Sequence, residues 1–180
     1  EQLLKRAVGS HSGSQTSADD EHKRHQDRRG ADEAELLADR GEDEVVLSLW
    51  NLVWVAASEA GADEALMLDP TGAVATCNAT NFFVVRDGGV WTSTGHYNLN
   101  GITRQLVLEI APQAGLTAHE KPFSLTDVYS ADEAFVTGTF AGLTPVIAVD
   151  GRTIGDGGPG TMTARLRDLY QAAVEADVSR

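Results

Sequence analysis

In Thr94-Gly95-His96-Tyr97-Asn98-Leu99-Asn100-Gly101-Ile102-Thr103-Arg104 the chain changes its period. Val90 to Thr94, entering the run, reads as a strand. Beyond it Ile102, Leu106, Ile110 and Ala114 recur every fourth residue, which predicts an amphipathic helix over 101–114. That helix should open at Asn100 or Gly101. Its first N–H groups have no partner within the helix, and the helix dipole is positive at that end. Gly101 lets a ligand approach the backbone closely and Thr103 adds a hydroxyl, a combination suited to a phosphate. The same letters also describe an ordinary helix start, with Asn100 as the cap and Thr103 in solvent.

Working upstream, Asn81 to Arg86 (NFFVVR) is a continuous apolar run and predicts a strand covered on both faces. Asp87-Gly88-Gly89 turns it back onto Val90 to Thr94. Two further strands, Glu64 to Leu68 and Ala73 to Cys77, flank Asp69-Pro70-Thr71-Gly72, whose Pro and Gly positions suit a type I turn. Val45 to Ala60 is apolar nearly all round and predicts a helix buried on most sides. Downstream, Ser124 to Tyr129 reads as a short helix capped by Ser124, and Ala134 to Thr137 and Pro145 to Val149 as strands. Asp150-Gly151 reads as a hairpin turn. A last helix over Thr161 to Asp177 should bury Met162, Leu166, Leu169, Tyr170, Ala173 and Val174. Strands and helices mix without regular βαβ alternation, so the predicted class is α+β. Thr137-Gly138-Thr139-Phe140-Ala141-Gly142 follows a buried strand and offers two hydroxyls and glycine-freed N–H groups to the same anion, or is a plain strand exit. Gly155 to Gly160 reads as turn chemistry ahead of the last helix.

A length of 180 residues suits one domain with an arm. The net charge of -13 argues against nucleic acid and against an anionic membrane surface as partners. One cysteine, Cys77, leaves no intrachain disulfide and no multi-cysteine metal site. Paired with His96 it would be a nucleophile, but a buried, inert thiol is the expectation. His11, His22 and His25 sit in a charged stretch that reads as solvated rather than metal-binding. No secretory pattern opens the chain and no apolar run approaches the roughly 20 residues of a membrane span, so a soluble, cytoplasmic protein is expected. Residues 1–42 are predicted to be a disordered or degenerate arm, preceding a domain over 43–180.

The blocks Gly61-Ala62-Asp63-Glu64-Ala65-Leu66, Asn81-Phe82-Phe83, Asn100-Gly101-Ile102-Thr103-Arg104, Ala131-Asp132-Glu133-Ala134-Phe135-Val136-Thr137-Gly138-Thr139 and Thr144-Pro145-Val146 follow one another with a familiar spacing. In this the chain resembles the class IV (fold-type IV) pyridoxal-phosphate-dependent aminotransferases, which include branched-chain and D-amino-acid aminotransferases and aminodeoxychorismate lyase. The resemblance implies the C-terminal large domain of the D-amino-acid aminotransferase-like fold. It implies pyridoxal 5'-phosphate as cofactor, an amino acid and a 2-oxo acid as substrates, and a homo-oligomer. Gly101, Ile102 and Thr103 match the helix start that holds the cofactor phosphate, and Thr139 a second phosphate-binding turn. Gly138, Thr139 and Phe140 match the loop facing the substrate carboxylate. Thr76 and Asn81 match positions around the cofactor ring.

Two departures from the family pattern stand out. Its members usually carry a Glu five residues before the Asn of Asn-x-Phe, and here that position is Thr76. A neutral hydroxyl holds a proton on the ring nitrogen less well than a carboxylate, which implies a weaker electron sink. The family's cofactor-bearing lysine would fall between Asp43 and Leu49, where no lysine stands; the chain has Lys5, Lys23 and Lys121. No catalytic residue is therefore assigned, acid–base help of about 10²–10⁴-fold is expected to be lost, and cofactor binding to be weak or lost. Two functions follow: an aminotransferase that is truncated and impaired in this chain, or a non-catalytic, degenerate domain serving as cofactor-binding or dimerisation partner.

Overall fold

The computed structural model describes residues 52–139 and 142–178. The predicted arm, its boundary at residue 43, the first part of the helix predicted from Val45, and Phe140 lie outside the described residues. Within them, a helix over 52–59 (α1) leads into β1 (Leu66–Leu68) and β2 (Val74–Cys77). Next come β3 (Asn81–Arg86), β4 (Gly89–Thr92), α2 (Ile102–Ile110), a 3-10 turn (Ala111–Ala114), β5 (Thr117–Glu120) and α3 (Leu125–Tyr129). The chain closes with β6 (Glu133–Gly138), β7 (Gly142–Val146), β8 (Ala148–Val149), β9 (Arg152–Thr153) and α4 (Thr161–Val178). The class is α+β, as the sequence predicts. No helix among the described residues is long and apolar enough to cross a membrane.

The central sheet has the order β5-β4-β3-β6-β7, with β4 and β5 parallel and the other pairs antiparallel. Its continuous apolar strand is explained by two cores. Side chains alternate across a strand: Phe82 and Val84 enter one core, with Leu66, Val74, Phe123 and Val136, while Phe83 and Val85 enter the other, with Val107, Ile110, Phe135 and Leu166. Phe83 and Phe135 stack with ring centroids 4.9 Å apart. The first core lies under the β1–β2 hairpin and α3, the second under α2 and α4. At the β3–β4 hairpin both turn residues, Asp87 (φ 52°) and Gly88 (φ 71°), take the left-handed conformation that a two-residue turn needs.

Local chemistry explains several boundaries. Gly72 N–H closes the Asp69–Gly72 turn on Asp69 O at 2.9 Å, and Asp69 Oδ1 accepts from Thr71 N at 2.8 Å. Ser124 N donates to Asp127 Oδ2 at 2.9 Å while Ser124 Oγ accepts from Asp127 N, a capping box that starts α3. The start of α4 is fixed from a distance: Glu133 accepts from Met162 N at 2.9 Å, Thr163 N at 2.7 Å and Thr163 Oγ1 at 2.7 Å. A side chain on Gly160 would collide with that carboxyl, which accounts for a glycine at the end of the Gly155–Gly160 run.

The structure corrects several expectations. The helix predicted to be buried on most sides buries only Ala57 over its described part, 52–59, with Leu52 64% and Val55 42% exposed. The single strand predicted over Pro145 to Val149 is divided between β7 and β8, which belong to different sheets. The helix predicted over 101–114 is α2 followed by a 3-10 turn carrying Pro112, ended by Gly115 at φ 81°. Its buried stripe is Thr103, Val107, Ile110 and Ala114, and Ile102 is 89% exposed. Steps of four overshoot a 3.6-residue turn by about 40° each, so the stripe drawn through Ile102 slides off the buried face. Strand β5, mostly exposed, carries no apolar pattern that would announce it; it forms by pairing with β4. On α4 the buried residues are Thr163 and Leu166, with Met162, Leu169 and Tyr170 partly buried, whereas Val174 is 39% exposed.

Candidate functional site

Three chain ends meet at one edge of the sheet. Strand β3 begins at Asn81 and β6 ends at Thr137-Gly138, and the two lie antiparallel with Asn81 opposite Thr137. Side-chain parity puts Asn81 on the face of Phe83 and Val85, and Thr137 on the face of Phe135. That is the face on which α2 packs. The N-terminus of α2 arrives there because the preceding loop is tied down. Asn98 Nδ2 donates to Ser93 Oγ at 2.6 Å, Ser93 Oγ donates to Ala75 O, and Asn81 Nδ2 donates to Leu99 O at 2.9 Å.

Between these ends lies a cavity of about 240 Å³. Thr76, Asn81, Gly101, Thr103, Gly138 and Thr139, all singled out from the sequence, line it. Ile102 does not, since its side chain points into a broader groove of about 840 Å³ between α2 and α4; only its backbone N–H belongs to the helix start. Cys77, Asn78, Ala79, Thr80, Leu99 and Thr137 complete the wall. Of these, Thr137 belongs to the stretch whose two hydroxyls the sequence offers to an anion, and the pairing of β3 with β6 fixes the side it faces.

At the helix start, Gly101 is the N-cap residue (φ -63°, ψ 143°) and no side chain caps it. Asn100, the cap in the plainer reading of the sequence, instead lies against Gly95, where an added Cβ would fall 2.6 Å from Asn100 Oδ1. The first N–H groups of α2 thus lack a side-chain acceptor. A Cβ on Gly101 would stand 2.6 Å from Asn81 Oδ1, and one on Gly138 3.2 Å from Thr80 Cγ2. Both glycines are there for closeness of approach.

The hydroxyls differ in what they are free to do. Thr76 Oγ1 donates to Thr80 O at 2.8 Å, which commits its proton and leaves its lone pairs. Thr80 Oγ1 donates to Glu64 Oε2 at 2.5 Å. Burial pushes the Glu64 carboxyl above its usual range, against the hydrogen bonds from Thr80 and Cys77, and Asp63 adds repulsion. Cys77 is buried, and burial together with the Glu64 charge pushes its thiol well above its usual pKa. It is an inert thiol rather than a nucleophile. His96 is exposed and meets Tyr97 edge-on at 5.3 Å. Thr137, 2% exposed, has a hydroxyl with no hydrogen-bond partner among the described residues.

None of the lining residues carries a charge. Among the described residues Lys121 is the one lysine, and its ammonium sits 3.1 Å from the centroid of the Trp91 ring. Arg104 is buried beneath α2, donating to Ser93 O at 2.8 Å and to Glu120 Oε2 at 2.5 Å. Backbone N–H groups and hydroxyls without an ionisable partner can hold an anion, but they offer no group to carry a proton to and fro.

The profile of the family described as amino-transferase class IV matches residues 49–149. A branched-chain-amino-acid aminotransferase of Pseudomonas aeruginosa is 47% identical over 110 residues, covering 61% of this chain and 36% of that protein. A D-alanine aminotransferase of Listeria innocua is 38% identical over 98 residues, covering 54% of this chain and 34% of that protein. Among solved structures, the branched-chain amino acid aminotransferase from Escherichia coli superposes with a TM-score of 0.66 at 34% identity, over 68% of this chain and 42% of that one. The chain thus spans well under half the length of these proteins.

Proposed function

Because the chain belongs to the class IV amino-transferase family, we propose that its described residues form the phosphate-and-ring cradle of a pyridoxal-phosphate aminotransferase, one that moves an amino group between an amino acid and a 2-oxo acid. One observation carries this reading: an uncapped helix start faces the Thr137–Thr139 turn across a single cavity. A phosphate ester needs several donors and close backbone approach. The free N–H groups of α2 and the two cramped glycines meet that need. Ile102 and Thr103 would hold the phosphate by their N–H groups, with help from the Thr103 and Thr139 hydroxyls, while Gly101, whose own N–H donates to Leu99 O at 2.9 Å, would give the room for close approach. Thr76 would accept a hydrogen bond from the ring nitrogen, since its own proton is committed to Thr80 O, and Asn81 would hold the helix start in place. Gly138 and Thr139, with Phe140 outside the described residues, would face the substrate carboxylate. When bound, the cofactor supplies the electron sink for the substrate's Cα. A branched-chain-like substrate agrees with the branched-chain relatives.

Turnover needs an amine that the described residues do not bring to this cavity, because Lys121 is held on Trp91. We therefore read this chain by itself as impaired, with any lysine coming from outside the described residues or from another subunit. The same observation favours a second reading, a cofactor-holding or dimerisation partner without catalysis. Titration with pyridoxal phosphate, then borohydride reduction and peptide mapping, separates the two. An adduct fixed on a lysine supports the aminotransferase. Saturable binding without a fixed adduct supports the non-catalytic partner. Absence of binding overturns the cradle itself.

A further inference from the structure

We propose that Thr137 is a further binding residue of this cavity, its buried hydroxyl bonding the phosphate group received by the start of α2. The inference rests on the cradle reading and singles out, within the Thr137–Thr139 turn, a buried hydroxyl to which that reading gives no part. Thr137 is 2% exposed, lines the cavity, and its Oγ1 has no partner among the described residues. Leaving a buried hydroxyl unpaired costs on the order of 1–3 kcal/mol, and native structures rarely keep one without a use. Its neighbours explain why no protein group answers it. In register it faces Asn81 on β3 and Leu143 on β7. Leu143 is apolar, and the Asn81 amide nitrogen is turned away to Leu99 O. The direction left is the cavity, where Gly101 begins α2 on one side and Gly138-Thr139 leave β6 on the other. The hydroxyl and the α2 N–H groups thus border one cavity, and a hydroxyl donor to an anion makes a charge-assisted bond.

The test is Thr137→Val, which keeps the shape and removes the hydroxyl, with Thr137→Ser as the variant that keeps it. Pyridoxal phosphate and, as a competitor, inorganic phosphate are titrated against all three proteins, and each ligand-free protein is melted. Two opposite changes are expected of Thr137→Val: both affinities fall about tenfold, while the ligand-free melting temperature rises because an unsatisfied buried group is gone. Thr137→Ser should hold most of the affinity. A purely structural threonine would give the reverse, with a lower ligand-free melting temperature and unchanged affinity, and that result overturns the proposal. Weakened pyridoxal phosphate binding with unaltered phosphate competition places the hydroxyl on the ring and also overturns it, as does failure of inorganic phosphate to compete in the unsubstituted chain. If the unsubstituted chain binds neither ligand, the cradle reading falls and takes this residue with it. If it binds both and Thr137→Val binds them equally well, only the role of Thr137 falls.

Discussion

Gly101→Ala should damage this protein through one contact. The Gly101 backbone (φ -63°, ψ 143°) suits any residue, so no dihedral strain enters, and alanine would even gain about 0.4–1 kcal/mol from a stiffer unfolded chain. Against that, the new Cβ lands 2.6 Å from Asn81 Oδ1, and ordinary contact begins at 3.4 Å, so something must move 0.8 Å. If Asn81 moves, its 2.9 Å bond to Leu99 O is lost, costing about 0.5–1.5 kcal/mol. If the helix start moves, overpacking strain of about 1–3 kcal/mol is felt there instead. The net expectation is a loss of about 1 kcal/mol, or roughly 3–4 °C in melting temperature. Amides displaced by that much leave hydrogen-bond range of a phosphate, so pyridoxal phosphate affinity should fall about 10–100-fold. Melting and cofactor titration of Gly101→Ala, Asn81→Ala and the double variant measure both effects. Removing the Asn81 amide relieves the clash, so the double variant should lose less than the two singles added together. A Gly101→Ala protein that melts and binds like the unsubstituted one, or strict additivity in the double variant, would refute the close-approach account.

Three other expectations can be tested with stability measurements alone. Because burial raises the Glu64 carboxyl pKa in the folded state, the folded protein holds that proton more tightly than the unfolded chain does. Its contribution to stability is present at low pH and fades as pH rises from 4.5 through the folded value. Glu64→Gln should flatten that fall; melting curves of the two proteins that stay parallel across this range would reject it. Asp127 has the opposite sign: the backbone N–H and hydroxyl of Ser124 lower its pKa, so its stabilisation is present above 3.8 and fades as pH falls through the folded value. Asp127→Asn should remove that acid-side loss. Separately, Glu133→Ala strips three hydrogen bonds from the start of α4 and should cost about 2–3 kcal/mol in urea unfolding. A loss under about 0.5 kcal/mol, the size of an ordinary surface substitution, would mean that α4 is held by its apolar contacts instead.

What the sequence settled by itself was local, or rested on an ordered set of local blocks. The Ser124 cap, the Asp69–Gly72 and Asp87–Gly88 turns and the doubly covered β3 depend on neighbours within a few residues, so their letters suffice. The blocks around Asn81, Gly101 and Thr139 pointed to the family and to half of the described cavity wall for the same reason. What only the tertiary structure decided depends on partners far along the chain. Strand β5 exists because β4 pairs with it, and the start of α4 is fixed by Glu133, some thirty residues upstream. Asn100 gives up the cap that its position suggested, Lys121 is drawn onto Trp91, and Thr137 is left with an unanswered hydroxyl. A polar group's chemistry is written in its own letter, but whether that group is spent or free depends on what the fold brings within about 3 Å of it.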